Sequence, residues 1–145
     1  MQGIIHHDKR TGMVYILRSL SQDPALRGIR NLRKIGYTEK DLNERLAGAE
    51  RQQTYLEAPV KEVASFDCYN LDPQRFERLV HAMLHHQHLN VTLHSRDGGI
   101  YRPREWFDVE LDTARQVVTR IVHGSIARYR MDNTIGRLIL KKGGE

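Results

Sequence analysis

Cysteine is almost missing from the chain. Cys68 is the only one in 145 residues, which excludes an internal disulfide and any multi-cysteine zinc ribbon. The reducing cytosol is therefore the expected compartment, nucleoid-associated in a bacterial cell. Long apolar runs are missing too. The longest is Met13–Leu17, far short of the roughly 20 residues a membrane helix needs, so no membrane partner is expected. Where a secretory signal would place an apolar stretch, the chain has His6, His7, Asp8, Lys9 and Arg10. Proline is scarce at four residues, and neither internal repeats nor low-complexity tracts occur. With 39% hydrophobic and 28% charged residues the composition is that of a folded soluble chain. The length suits one domain.

Positive charge is in excess and unevenly placed: 23 Lys+Arg against 18 Asp+Glu leave +5. Residues 1–113 hold sixteen of each sign, so the whole excess falls in residues 114–145. Arg115, Arg120, Arg128, Arg130, Arg137, Lys141 and Lys142 face only Asp132 and Glu145 there. Such an end either gains affinity for phosphate backbones by releasing counterions or is a solvated helix face with a soluble tail.

Met13-Val14-Tyr15-Ile16-Leu17 is apolar and β-rich, as in a strand buried on both faces. Ser19 to Asn31, with Asp23-Pro24 and Gly28, reads as a connection, and Leu32 to Tyr37 as a second strand. Thr38 and Asp41 resemble a helix cap, followed by Leu42, Leu46 and Ala49 at helical spacing. Val60 to Tyr69 is a third strand candidate. Asp72-Pro73 opens a helix predicted to run to about Leu89, with Phe76, Leu79, Val80, Met83 and Leu84 as its stripe. Residues 90–104 read as a loop with a short extended piece at Val91–Leu93, and Trp106-Phe107-Asp108-Val109 as a short strand or a tight approach to the last helix. That helix is predicted from Leu111 to about Tyr129. The expected fold is α+β: a small three-stranded antiparallel sheet flanked by helices, with an additional C-terminal amphipathic helix and a basic tail. The expected organisation is an extension over 1–11, a domain over 12–129 and the tail over 130–145.

Tyr15, Lys34, Arg45 and Glu77 stand where the pattern expects packing or nothing in particular. Each alone has a bland explanation: a core tyrosine with its hydroxyl at the rim, a snorkelling edge lysine, an arginine paired with Asp41, and a glutamate paired with Arg75 or Arg78. His81 and His88 fall on the same helix border as Glu77. Arg18, Arg27, Arg30 and Arg33 surround the first connection, either as phosphate contacts or as solvated surface.

Together these residues resemble a known family. Val14-Tyr15-Ile16, then Lys34-Ile35-Gly36-Tyr37-Thr38, Asp41-Leu42 with Arg45, Glu77 with His81, and Glu105-Trp106-Phe107 resemble the GIY-YIG nuclease superfamily. The closer resemblance is to its T5orf172, or meiotically-up-regulated-113-like, branch, over about residues 12–122. The first block reads Met13-Val14-Tyr15 here, and Lys34 stands where the superfamily usually has tyrosine. A literal Gly99-Ile100-Tyr101 lies downstream of every other block, and Glu105 lies in the neighbourhood of an asparagine that many relatives carry.

The resemblance implies an endonuclease that hydrolyses DNA phosphodiesters with one divalent metal, Mg²⁺ or Mn²⁺. By that implication Glu77 is the metal ligand and Arg45 donates its fork to the scissile phosphate. Either Tyr15 holds or deprotonates the attacking water, its pKa lowered by Lys34, or Lys34 is itself the base, its own pKa depressed by burial and by Arg45. His81 orients the carboxylate, meets the leaving-group oxygen or simply caps the site. Gly36 lets the backbone approach DNA; Tyr37, Arg33, Arg128 and Arg130 are its further expected contacts. Trp106 and Phe107 are expected in the core. DNA is the expected partner, with branched DNA or RNA as variants, assisted by the basic end, a homodimer or an attached targeting partner. A catalytically silent nucleic-acid-binding module is the alternative. A zinc protein built on His81, His85, His86, His88 and His94 is a rival, lacking cysteine and the His-Glu-x-x-His arrangement.

Overall fold

The computed structural model describes residues 10–142. The expected N-terminal extension therefore lies outside the described residues up to position 9, as does the last stretch, 143–145. In chain order the elements are β1 (Gly12–Ser19), β2 (Leu32–Thr38), α1 (Leu42–Leu46), β3 (Val60–Cys68), α2 (Pro73–Met83), β4 (Leu93–His94), β5 (Ile100–Tyr101), β6 (Trp106–Asp108), α3 (Leu111–Val122), β7 (Tyr129–Asp132) and β8 (Arg137–Leu140).

The main sheet has the order β3-β1-β2-β6, with every neighbouring pair antiparallel. The class is the expected α+β, and the sheet gains a fourth strand because Trp106–Asp108 pairs with Leu32–Lys34. β1 lies inside the sheet, which explains its continuous apolar run: Val14, Tyr15, Ile16 and Leu17 are all buried. Alternation then separates two cores. Val14, Ile16 and Ile35 pack with Phe76 and Val80 of α2 and Val117 and Val118 of α3. Tyr15 and Leu17 pack on the other face with Leu42, Ala49 and Tyr55. Trp106 is in a third cluster with Leu26, Leu56 and Leu93, and its indole N–H donates to the Thr54 carbonyl at 2.9 Å; Phe107 joins the first core.

Three boundaries differ from the sequence reading. α2 stops at Met83, and His85–Gln87 continue as a 3-10 turn. α3 stops at Val122 because Gly124, at φ 81, takes the left-handed conformation that closes a helix, and its N–H bonds back to Ile121. The expected tail over 130–145 is, through Leu140, largely the β7–β8 hairpin. Gly136, at φ 69, turns it; Leu138 is buried in the first core, and Thr113 of α3 donates to the Gly136 carbonyl. No helix among the described residues is long and apolar enough to cross a membrane.

β6 is short, and this positions the site. It covers β2 only from Leu32 to Lys34, with one further bond from the Ile35 N–H to the Glu105 carbonyl. Beyond that point no strand among the described residues covers β2 on the side away from β1, and a cleft opens there between the sheet and α2.

Candidate active site

The cleft, about 150 Å³, is lined by Tyr15, Gly36, Tyr37, Arg45, Glu77, His81 and Glu105, over an apolar floor that includes Ile35, Phe76 and Phe107. Five separate segments contribute: β1, β2, α1, α2 and the residue before β6. Residues far apart in sequence thus converge at one place. Lys34 stands just behind, fully buried, with its Nζ 2.6 Å from Glu105 Oε1 and 3.1 Å from Thr54 Oγ1.

The bland alternatives fail for Arg45, Glu77 and Lys34. Asp41 caps α1 by accepting from the Glu44 N–H and forms no ion pair with Arg45. Glu77 lies exposed on the second turn of α2, and it too has no ion pair among the described residues. Lys34 is no snorkelling edge lysine, because β6 closes over its strand. Tyr15 is a core residue whose ring also walls the cleft.

Tyr15 and Gly36 face each other on β1 and β2, and a Cβ on Gly36 would lie 2.5 Å from the Tyr15 ring and hydroxyl. The missing side chain therefore makes room for the phenol, and Gly36 itself lines the cleft. The Tyr15 phenol is shifted opposite to the lowering expected from Lys34. Burial, reinforced by the Tyr55 hydroxyl 3.1 Å away, pushes the phenol well above its ordinary range, and only Arg45 pulls it down. Burial moves Lys34 the other way, below the usual ammonium range; Glu105 opposes that and Arg45 adds to it. His81, tilted against His88 and Phe107, is held below the ordinary imidazole range by burial and then by His88, with Glu77 opposing.

A group that sequence reasoning missed organises the site from behind. Gln52 accepts from Arg45 at 3.5 Å, Thr54 accepts from Lys34, and Tyr55 bonds Tyr15. Lys34 and Arg45 both sit over the Tyr55 ring, 5.3 and 5.2 Å from its centre, a favourable placement for cations. Three residues of one short segment thus meet three candidate catalytic side chains. The segment ends in two non-glycine residues in the left-handed region, Leu56 at φ 62 and Glu57 at φ 50, an arrangement that needs outside support. Leu56 is buried, and the Glu57 carboxylate accepts from Ser95 Oγ and the Arg96 N–H. The stretch lacks periodicity, so its only signal in the sequence is the unexplained tyrosine.

Not every expected residue converges. Arg33 points to the opposite face of β2 from Lys34. Arg128 and Arg130 are exposed near the start of the C-terminal hairpin and do not line the cleft. Among the described residues no group of three or more His, Cys, Asp or Glu could hold a metal, which removes the zinc rival's donor set there. The cleft offers separate carboxylates, Glu77 and a Glu105 already engaged by Lys34. That chemistry fits Mg²⁺, which takes one or two carboxylates and keeps its waters.

A compact α+β domain with a mixed-charge cleft at an open sheet edge is the class that fold and site define. The chain belongs to the T5orf172 domain family, whose model matches residues 12–122. It is 37% identical over 122 residues to the uncharacterized protein YeeC of Bacillus subtilis (strain 168), an alignment covering 84% of this chain and 32% of that relative. The chain therefore spans about a third of the length of the curated relative it matches. No solved structure matches it.

Proposed function

We propose that this T5orf172 domain is a metal-dependent DNA endonuclease of the GIY-YIG type. The observation that carries the reading is the convergence of Tyr15, Arg45, Glu77 and His81 on one cleft, with the Lys34–Glu105 pair closing its back.

Phosphodiester hydrolysis needs a proton acceptor for the attacking water, charge stabilisation at the phosphorus and relief of charge on the leaving oxygen. Arg45, held by Gln52 and the Tyr55 ring, presents a planar fork suited to two phosphate oxygens. Tyr15, kept protonated at neutral pH, donates a hydrogen bond and does not act as the base. The proton acceptor is the Lys34–Glu105 pair: the carboxylate lines the cleft, and burial loosens the lysine's hold on its proton. Glu77 would hold Mg²⁺ or Mn²⁺, which when bound supplies Lewis acidity and neutralises charge on the phosphate. His81, one turn along α2 and kept neutral by its surroundings, is placed to orient Glu77 or meet the leaving oxygen.

The test is supercoiled plasmid incubated with the full chain in Mg²⁺, Mn²⁺ or EDTA. Nicking or linearisation with metal and none in EDTA is the expected result. No cleavage with either metal, alongside a retained gel shift, would overturn it in favour of a catalytically silent binding module.

A further inference from the structure

The connection between β1 and β2 frames a second concave feature. It is a cavity of about 420 Å³ lined by Arg18, Arg27, Arg30 and Arg33 with Ser19 and Ser21, and no aspartate or glutamate among the described residues lines it. Solvated arginines on a protein surface ordinarily sit apart or beside carboxylates. These do neither. Arg18 lies directly opposite Arg33 on β2 and opposite Lys61 on β3, so three cations stand abreast on one face of the sheet, where like charges repel. None of the four arginines, nor Lys61, has an ion pair among the described residues. The carboxylate of Asp23, within the same connection, accepts from the Ala25 N–H instead.

The clearest sign is at Arg33. Its Nε is buried and has no hydrogen-bond partner among the described residues, whereas buried donors nearly always find one. Burial and the neighbouring Arg18 both press on its charge and hold it below the ordinary guanidinium range. An anion placed among these groups would satisfy the donor and relieve the repulsion together. Leu26, buried against Leu56, Leu93 and Trp106, anchors the connection that carries Arg27 and Arg30.

We propose that this cavity is a second anion site, which grips a phosphodiester of the polynucleotide whose backbone the cleft engages. Guanidinium forks match phosphate oxygens in pairs. Arg33 and Lys34 are neighbours on β2 and point to opposite faces, so one strand serves both the grip and the chemistry. The proposal rests on the reading that a polynucleotide is bound, but it does not need that polynucleotide to be cut.

The experiment is fluorescence anisotropy of a labelled DNA duplex with the full chain, in EDTA to prevent metal-dependent cleavage, over a series of NaCl concentrations. Arg18→Gln with Arg33→Gln is expected to weaken binding about tenfold and to flatten the log–log salt slope by about 2, since each lost phosphate contact removes about 0.9. Arg27→Gln with Arg30→Gln, at exposed positions of the connection, is expected to act in the same direction and guards against a folding defect in the first pair. Unchanged slopes in both variants would overturn the site. So would an equal loss from Arg128→Gln with Arg130→Gln, which would make the binding a diffuse effect of net charge. Inorganic phosphate bound through these arginines, with duplex affinity and salt slope unchanged in both variants, would mark a small-phosphate site and overturn the polynucleotide assignment. Arginine-dependent binding without any cleavage would leave this site standing while the nuclease reading falls; cleavage with unaltered slopes would do the reverse.

Discussion

Lys34 and Glu105 form a 2.6 Å ion pair in which the lysine side chain is 1% exposed and the carboxylate 31% exposed. One backbone bond and one strand pairing fix that geometry: the Ile35 N–H donates to the Glu105 carbonyl, and Trp106 of β6 pairs with Lys34. Removing one member of a buried pair strands the other charge. Glu105→Ala is expected to cost about 3 kcal/mol of stability, whereas Lys34→Met with Glu105→Leu should return to within about 1 kcal/mol of wild type. Urea denaturation decides it, and additive losses in the double variant would contradict the pairing.

Tyr55 is expected to separate into a ring and a hydroxyl. Tyr55→Phe loses the bond to Tyr15 but keeps the surface beneath Lys34 and Arg45. It should cost about 1 kcal/mol and slow plasmid cleavage about tenfold or less. Tyr55→Ala empties a fully buried site and should cost about 3–5 kcal/mol. Equal effects from the two substitutions would show that the ring has no role of its own.

Gly36→Ala forces a methyl group against the Tyr15 ring. Such overpacking typically costs about 1–3 kcal/mol, and Tyr15→Leu in the same chain should recover part of it. A Gly36→Ala protein as stable as wild type, measured by thermal unfolding, would mean that the ring moves away freely.

His81 gives the fold a pH dependence of known sign. Its folded-state pKa is below the ordinary 6.5, so the unfolded chain takes up the proton first as pH falls. The contribution is therefore complete above that value and is lost as pH drops through the window beneath it. Between about pH 7.5 and about pH 5, the urea midpoint of wild type should fall further than that of His81→Gln. Parallel declines would contradict the assignment.

Much of the fold was legible because it follows from local pattern. The run Met13–Leu17 announced an interior strand, and Asp72-Pro73 announced α2. The fourth strand was less visible because a three-residue segment has no periodicity to read; pairing with Leu32–Lys34 creates it. The hairpin at the C-terminus hid behind its charge, since only Leu138 of β8 is fully inside. At the cleft, Tyr15, Arg45, Glu77 and His81 were legible as polar residues in unexpected places. The pairing of Lys34 with Glu105, the upward shift of Tyr15 and the support from Gln52, Thr54 and Tyr55 were not. They depend on burial and on distances across segments up to 71 residues apart, which no local pattern encodes.

The most direct test of the cleft as a phosphodiester-cleaving site is the initial nicking rate of supercoiled plasmid in Mg²⁺ by wild type and Glu77→Gln, purified side by side. The exchange removes a charge at an exposed position and should leave the fold intact. The rate is expected to fall by about a hundredfold or more, the scale seen when a group that stabilises transition-state charge is lost. Equal rates from the two proteins would contradict it.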